Sequence, residues 1–127
     1  MFIEDPFDSL DIELWKQLKT CLGRDVYIVG DDLFATNRFY ITGELANGIL
    51  LKMNQVGTLS ETISAIQKAK EEKLHLCVSH RSCETNDTAM CDLAVAVGAD
   101  LIKIGGPRCE RLVKYSRLQQ LARSFTK

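Results

Sequence analysis

Long apolar runs are missing: none of the 127 residues belongs to a stretch approaching the roughly 20 residues a membrane-crossing helix needs. Met1 leads into Phe2-Ile3-Glu4-Asp5 without the basic segment of an export signal, so a chain that stays inside the cell is expected. No excess of one charge exists either. Sixteen Lys plus Arg stand against 17 Asp plus Glu, a formal net charge of -1, so no general field would draw nucleic acid or an anionic membrane surface. Paired cysteines are also lacking. The five, Cys21, Cys77, Cys83, Cys91 and Cys109, are odd in number and contain no Cys-x-x-Cys, which points to reduced thiols in a cytoplasmic protein rather than a disulfide scaffold. The two histidines, His75 and His80, have the spacing of neither a zinc finger nor a metalloprotease helix. With two prolines, no low-complexity stretch interrupts the chain, and a single domain over 1–127 is expected. The 46% apolar content is enough to bury a core, which excludes disorder for the chain as a whole.

Five short apolar runs each stop at an ionisable residue. They are Phe2-Ile3 before Glu4, Val26 to Gly30 before Asp31, Ile49 to Leu51 before Lys52, Leu74 to Ser79 before His80, and Leu101-Ile102 before Lys103. The stops are 27, 21, 28 and 23 positions apart. A mean of roughly 25 is the length of one strand, one helix and two short loops.

Helical patterns fill the gaps. Leu10, Leu14, Leu18 and Leu22 recur at four-residue spacing before Gly23, a glycine end-cap. Thr58-Leu59-Ser60-Glu61 has the form of a capping box, followed by the apolar stripe of Ile63 and Ile66. Leu93, Ala94 and Val97 mark a third helix ending at Gly98, and a fourth is predicted from about Glu110 to Arg123 with Leu112, Val113, Leu118 and Leu121 inward. Asn37 to Ala46 fits helix and loop equally, because Gly43 interrupts it. Asn47-Gly48 precedes a strand without following one, so no hairpin is predicted. Near-continuous apolar strands alternating with helices imply an α/β fold of parallel βα units, about five strands in all.

In such an array every strand's carboxyl end points to one face. Glu4, Asp31, Lys52, His80 and Lys103 are therefore expected to converge, although any one charged strand end alone would be read as solvated. Two carboxylates offer the hard oxygen ligands that suit Mg²⁺. Two lysines close together disfavour each other's protonated form, and a lysine pushed toward neutrality serves as a general base. A metal-stabilised enediolate with a lysine base is the logic of proton abstraction next to a carboxylate.

The local motifs then resemble a known family. Ile3-Glu4-Asp5-Pro6-Phe7, Val29-Gly30-Asp31-Asp32-Leu33 with Thr36-Asn37, Leu50-Leu51-Lys52-Met53-Asn54-Gln55-Val56-Gly57, Ser79-His80-Arg81-Ser82 with Glu84-Thr85, and Leu101-Ile102-Lys103 are similar to successive barrel motifs of enolase, in the family's order. The resemblance implies about five strands of an enolase-type (β/α)8 barrel, its carboxyl-terminal half. It implies that Glu4 and Asp31 are Mg²⁺ ligands and that Lys52 is the base acting on carbon 2 of 2-phosphoglycerate, on the way to phosphoenolpyruvate. His80, Arg81 and Ser82 would receive the substrate phosphate, and Lys103 would pair with the substrate carboxylate. Glycolysis, the cytoplasm and dimerisation come with the family.

Some positions depart from the family pattern. Cys83 stands where the family reads glycine, and Ile104 stands where it reads threonine. The third metal carboxylate and the general-acid glutamate lie on the family's first strands, which have no counterpart among these motifs. The resemblance thus implies a lyase that needs a complementing amino-terminal enolase half. The alternative is a non-catalytic interaction module. An acid-sugar dehydratase or racemase is a third reading, disfavoured by the Lys52 to Gln55 and Ser79 to Thr85 motifs. Either of the first two readings predicts a homo-oligomer or a complementing partner, with no nucleic acid and no membrane.

Five further residues have bland readings. Trp15 is read as packing, Asp32 as a turn cap in preference to a metal ligand, and His75 as remote from the strand-end face. Arg108 and Arg111 are read as a solvated helix start in preference to a phosphate site beside Gly105-Gly106. Cys83, next to the His80-Arg81 segment, is the cysteine most suited to reactivity.

Overall fold

A computed structural model describes residues 1–125. The strands and helices alternate as the sequence predicts except between β2 and β3, which turns alone connect: β1 Phe2–Glu4, α1 Ile12–Leu22, β2 Tyr27–Gly30, β3 Gly48–Leu51, α2 Leu59–Glu71, β4 His75–Ser79, α3 Ala89–Val97, β5 Leu101–Lys103 and α4 Leu112–Ser124. A single turn of 3-10 helix, Cys109–Arg111, leads into α4. The strands follow chain order, β1-β2-β3-β4-β5, and the ladders β1–β2, β2–β3 and β4–β5 are parallel. This is an α/β fold of interleaved strands and helices, consistent with part of a TIM barrel. No helix among the described residues is long and apolar enough to cross a membrane. The five cysteines are thiols, Cys77 and Cys91 buried and Cys21, Cys83 and Cys109 exposed.

The chain divides into two compact units, Met1–Leu76 and Cys77–Lys127. In the first, β2 and β3 are buried on both faces: Ile28, Val29, Ile49, Leu50 and Leu51 are closed to solvent, as the near-continuous apolar runs require. Asn47 binds this unit together. Its Oδ1 accepts the Ile28 N–H at 2.7 Å, and its Nδ2 donates to the carbonyls of Gly23 and Val26 at 2.8 Å each. Residues 37–46 form turns, not a helix.

Helix α1 ends at Gly23, as the sequence predicts. Trp15 is its one buried residue, edge-on to Phe7 at 6.4 Å, with its indole N–H donating to Asp8 O at 3.0 Å. That is packing, as read from the sequence. The leucine row stays largely outside: Leu10 is 85% exposed, and Leu14 and Leu22 are exposed too. A four-residue repeat drifts around a helix of 3.6 residues per turn, so the row diverges from the Trp15 face. Helix α2 is capped by Thr58, whose Oγ1 accepts the Glu61 N–H at 3.2 Å. The Thr58 hydroxyl also donates to Glu61 Oε2 at 2.7 Å, so the glutamate binds the capping hydroxyl.

In the second unit, α3 ends at Gly98, left-handed at φ 66°, with its N–H turned back to Ala94 O and Val95 O. Of the predicted inward face of α4, Val113, Leu118 and Leu121 are half-buried and Leu112 is exposed, while the one fully buried residue of the helix is Lys114.

Candidate functional site

In the first unit Asp31 follows β2 and Lys52 follows β3, and the structure brings the two together: Lys52 Nζ lies 2.5 Å from Asp31 Oδ2. Two residues 21 positions apart meet because neighbouring parallel strands end side by side. Asp31 is buried, and its second oxygen, Oδ1, has no hydrogen-bond partner. A buried carboxylate oxygen without a donor costs on the order of 1–3 kcal/mol, and a cation offsets that cost.

Asp5, the residue after β1, supplies the frame for Asp31. Its Oδ1 accepts the N–H of Asp31 and its Oδ2 the N–H of Asp32, each at 2.8 Å, and its own N–H donates to Val29 O at 3.1 Å. Asp5 is left-handed at φ 40°, a conformation aspartate tolerates better than most residues. Burial pushes its carboxyl above the ordinary carboxylate value, with the charges of Asp31 and Asp32 acting in the same direction against the two N–H bonds. Asp5, Asp31 and Asp32 each place one oxygen within 4.8 Å of the others. That oxygen-only donor set, with the orphaned Asp31 Oδ1, fits a hard divalent cation. Glu4 closes β1 and is half-buried.

Thr36 holds the other side. It is fully buried and left-handed at φ 55°, which costs a β-branched residue roughly 1–3 kcal/mol. Its hydroxyl accepts the Lys52 N–H at 3.0 Å and donates to Gln55 Oε1 at 2.6 Å. The backbone that carries Lys52 out of β3 is thereby tied to the loop after β2. A cleft of about 400 Å³ opens beside this tie, lined by Asn37, Arg38, Phe39, Gln55 and Glu61.

In the second unit His80 follows β4 and donates its backbone N–H to the carbonyl of Lys103, the last residue of β5, at 2.9 Å. The His80 to Asp87 loop is fastened from α4. Lys114 Nζ lies 2.6 Å from Glu84 Oε2 and donates to Thr85 O at 2.8 Å and Asp87 O at 2.9 Å. Glu84 Oε1 in turn accepts the Arg81 N–H at 2.6 Å. Burial alone would raise the Glu84 carboxyl, but the Arg81 N–H and Lys114 outweigh it and hold the group below the usual carboxylate range. Arg81 is half-buried, and Ser82 and Cys83 are exposed. Arg111 is not the solvated helix start that the sequence suggested. It is half-buried, and its Nε–H points to His80 Nδ1 at 3.4 Å. The His80 imidazole is held below its ordinary value of 6.5 by burial first, then by the positive charges of Arg111 and Lys103 against Glu84.

His75 lies at the other end of β4, edge-on to Tyr27 at 4.6 Å, and belongs to neither group. Sequence reasoning missed Asp5, Thr36 and the Lys114 anchor. Asp5 and Thr36 do stand in the motifs quoted above, and Asp5 is a second acid beside Glu4.

Parallel strands in chain order, interleaved with helices and with an ionisable residue at each strand end, define an α/β chain consistent with part of a TIM barrel. The family model described as "Enolase, C-terminal TIM barrel domain" matches residues 1–126, and the chain belongs to that family.

Proposed function

We propose that the chain is the carboxyl-terminal part of an enolase barrel, contributing the proton-abstracting half of the interconversion of 2-phosphoglycerate and phosphoenolpyruvate. The observation that carries this reading is the Lys52–Asp31 pair at neighbouring strand ends, framed by Asp5 and Thr36. Lys52 is the base: it takes the proton from carbon 2, and hydroxide leaves carbon 3. Asp31 and Glu4 are the carboxylates that hold Mg²⁺, which when bound stabilises the charge that develops on the substrate carboxylate. Asp31 also fixes the Lys52 side chain in place, so its position does not have to be ordered when substrate arrives. His80, Arg81 and Ser82 bind the substrate phosphate, and Lys103 pairs with its carboxylate. The loop that carries the phosphate-binding residues is fastened through Glu84 and Lys114, which supports a rigid anion site.

The five strands among the described residues are fewer than the eight of a closed barrel. Activity is therefore assigned to the chain together with a complementing amino-terminal enolase half, or to an oligomer, in the cytoplasm. The test is phosphoenolpyruvate formation by the chain with and without that half, in Mg²⁺. Turnover on mixing that is lost in Lys52→Ala and kept in Trp15→Phe supports the reading. Loss of a positioned base costs roughly 10² to 10⁴ in rate. No turnover in the mixture favours the second reading, a non-catalytic enolase-like interaction module, to which the apolar, buried Ile104 after Lys103 also points.

A further inference from the structure

Three groups meet in the second unit beside the end of β4. Arg111 leaves the 3-10 turn before α4 with its Nε–H directed at His80 Nδ1. Gly105 leaves room for both: a Cβ there would come within 3.0 Å of Arg111 Nε, 3.1 Å of Arg111 Cδ and 3.2 Å of His80 Cε1. Gly105 is also left-handed at φ 85°, and its carbonyl accepts the Tyr115 hydroxyl from the first turns of α4. The glycine is thus held from one side while arginine and imidazole occupy the space its missing side chain leaves. The His80 backbone is fixed separately, by its N–H on Lys103 O at 2.9 Å.

A ring nitrogen that accepts a hydrogen bond cannot carry a proton of its own. We propose that Arg111 is a positioning residue for His80, whose guanidinium holds the imidazole in the tautomer protonated on Nε2 and leaves Nε2–H as the ring's donor. Phosphate oxygens accept hydrogen bonds, so a ring facing a phosphate has to offer N–H. With Nδ1 taken by Arg111, that donor is Nε2. A doubly protonated ring would set an Nδ1–H against the Arg111 N–H, two donors face to face, so the same contact opposes ring protonation. The charged groups around the ring agree in balance. Arg111 and Lys103 disfavour the imidazolium, Glu84 favours it, and burial disfavours it further. The use of the Nε2 donor on phosphate rests on the proposed function; the tautomer itself does not.

The experiment is nitrogen NMR of the imidazole in the full chain, in a His75→Gln background that removes the other of the two histidines. The expected spectrum has Nδ1 unprotonated and Nε2 protonated at neutral pH. Arg111→Met is expected to raise the share of the Nδ1–H tautomer and to move the imidazole titration to higher pH, with circular dichroism showing the fold retained. Gly105→Ala, which fills the space that Arg111 occupies, is expected to give the same two changes and serves if Arg111→Met does not fold. A parent ring protonated on Nδ1, or a folded variant with unchanged tautomer and titration, overturns the proposal. Inorganic phosphate is then added to the parent chain as a separate readout. A saturable Nε2 shift supports the phosphate role of His80, whereas no shift sinks that role and leaves the Arg111 contact to be judged on the tautomer.

Discussion

Lys114 Nζ and Glu84 Oε2 are 2.6 Å apart, and no part of the lysine side chain reaches solvent. The ammonium has three oxygen acceptors in all, Glu84 Oε2, Thr85 O and Asp87 O, one for each of its protons. Lys114→Met fills similar volume but strands the carboxylate and both carbonyls. Breaking a buried pair from one side costs about 3–5 kcal/mol, and the partly open Glu84 places this pair at the lower end, near ~3 kcal/mol. Urea denaturation measures it, and a loss below about 1 kcal/mol would show that water reaches the loop once the lysine is gone.

Thr36 yields a sharper contrast, because strain and hydrogen bonding can be separated. Thr36→Ser keeps the hydroxyl for Lys52 N–H and Gln55 Oε1 while removing the β-branch that the left-handed backbone disfavours. Thr36→Val keeps the branch and loses both bonds. The serine variant is expected within about 0.5 kcal/mol of the parent, and the valine variant roughly 1–3 kcal/mol below it. Equal stabilities would mean that the hydroxyl bonds contribute nothing to holding the strand end.

How much of this was legible in the sequence follows from what each pattern encodes. The five apolar runs foretold the five strands almost to the residue: β2 and β3, buried on both faces, have to be apolar throughout, and a charged residue follows each. Asp31 and Lys52 were legible for the same reason. Helix faces were read less well. The apolar row of α4 is read as inward, yet Lys114 is the helix's one fully buried residue, since a long polar side chain is buried when its head group finds partners on another segment. Asp5, Thr36 and Arg111 act through contacts made 26, 16 and 31 positions away. No local spacing reports such contacts.

Acid is expected to weaken the chain through His80 before its carboxylates titrate. The ring's folded value is lowered from 6.5, so the unfolded chain takes up the proton first as pH falls. The stability gained from a neutral ring is whole above about 6.5 and is lost as pH falls through the folded value. Glu84, held below its ordinary value, weakens the fold in the same direction, but only below its ordinary 4.5. Asp5, raised from 3.8, acts in the opposite sense, adding stability as it takes up its proton. The urea midpoint should therefore fall as pH drops from neutral to below about 6.5, and His80→Gln should flatten that fall. A midpoint that rises over the same interval contradicts the placement of His80.

Magnesium binding by the chain alone is expected to be weak. The cation dehydrates reluctantly and needs several oxygens, while Asp31 Oδ2 is engaged by Lys52 and both Asp5 oxygens by backbone N–H groups. Calorimetry should give a Kd in the millimolar range or no heat. Micromolar binding abolished by Asp31→Asn would show that these carboxylates already form a complete shell without a partner.

Self-association is the last expectation, and it rests on exposed apolar surface. Ile12, Leu14 and Leu22 lie exposed along α1, and Leu10 lies exposed just before it. β1 stands first in the strand order, so one side of its backbone has no described strand, and Phe2 on it is exposed. Burying an exposed leucine contributes about 1.5–3 kcal/mol, so three of them at and before α1 offset part of the entropy lost on pairing two copies. A second copy across a two-fold axis, or a complementing barrel half, would cover these leucines and extend the sheet at β1. Light scattering at micromolar concentration should report a mass above the 14.3 kDa of one chain. Leu10→Glu together with Leu14→Glu should return the mass toward that of the monomer without unfolding it, because neither residue belongs to the buried core. A parent chain that is monomeric and binds no apolar dye would show that these leucines are tolerated in water and that nothing is needed to cover them.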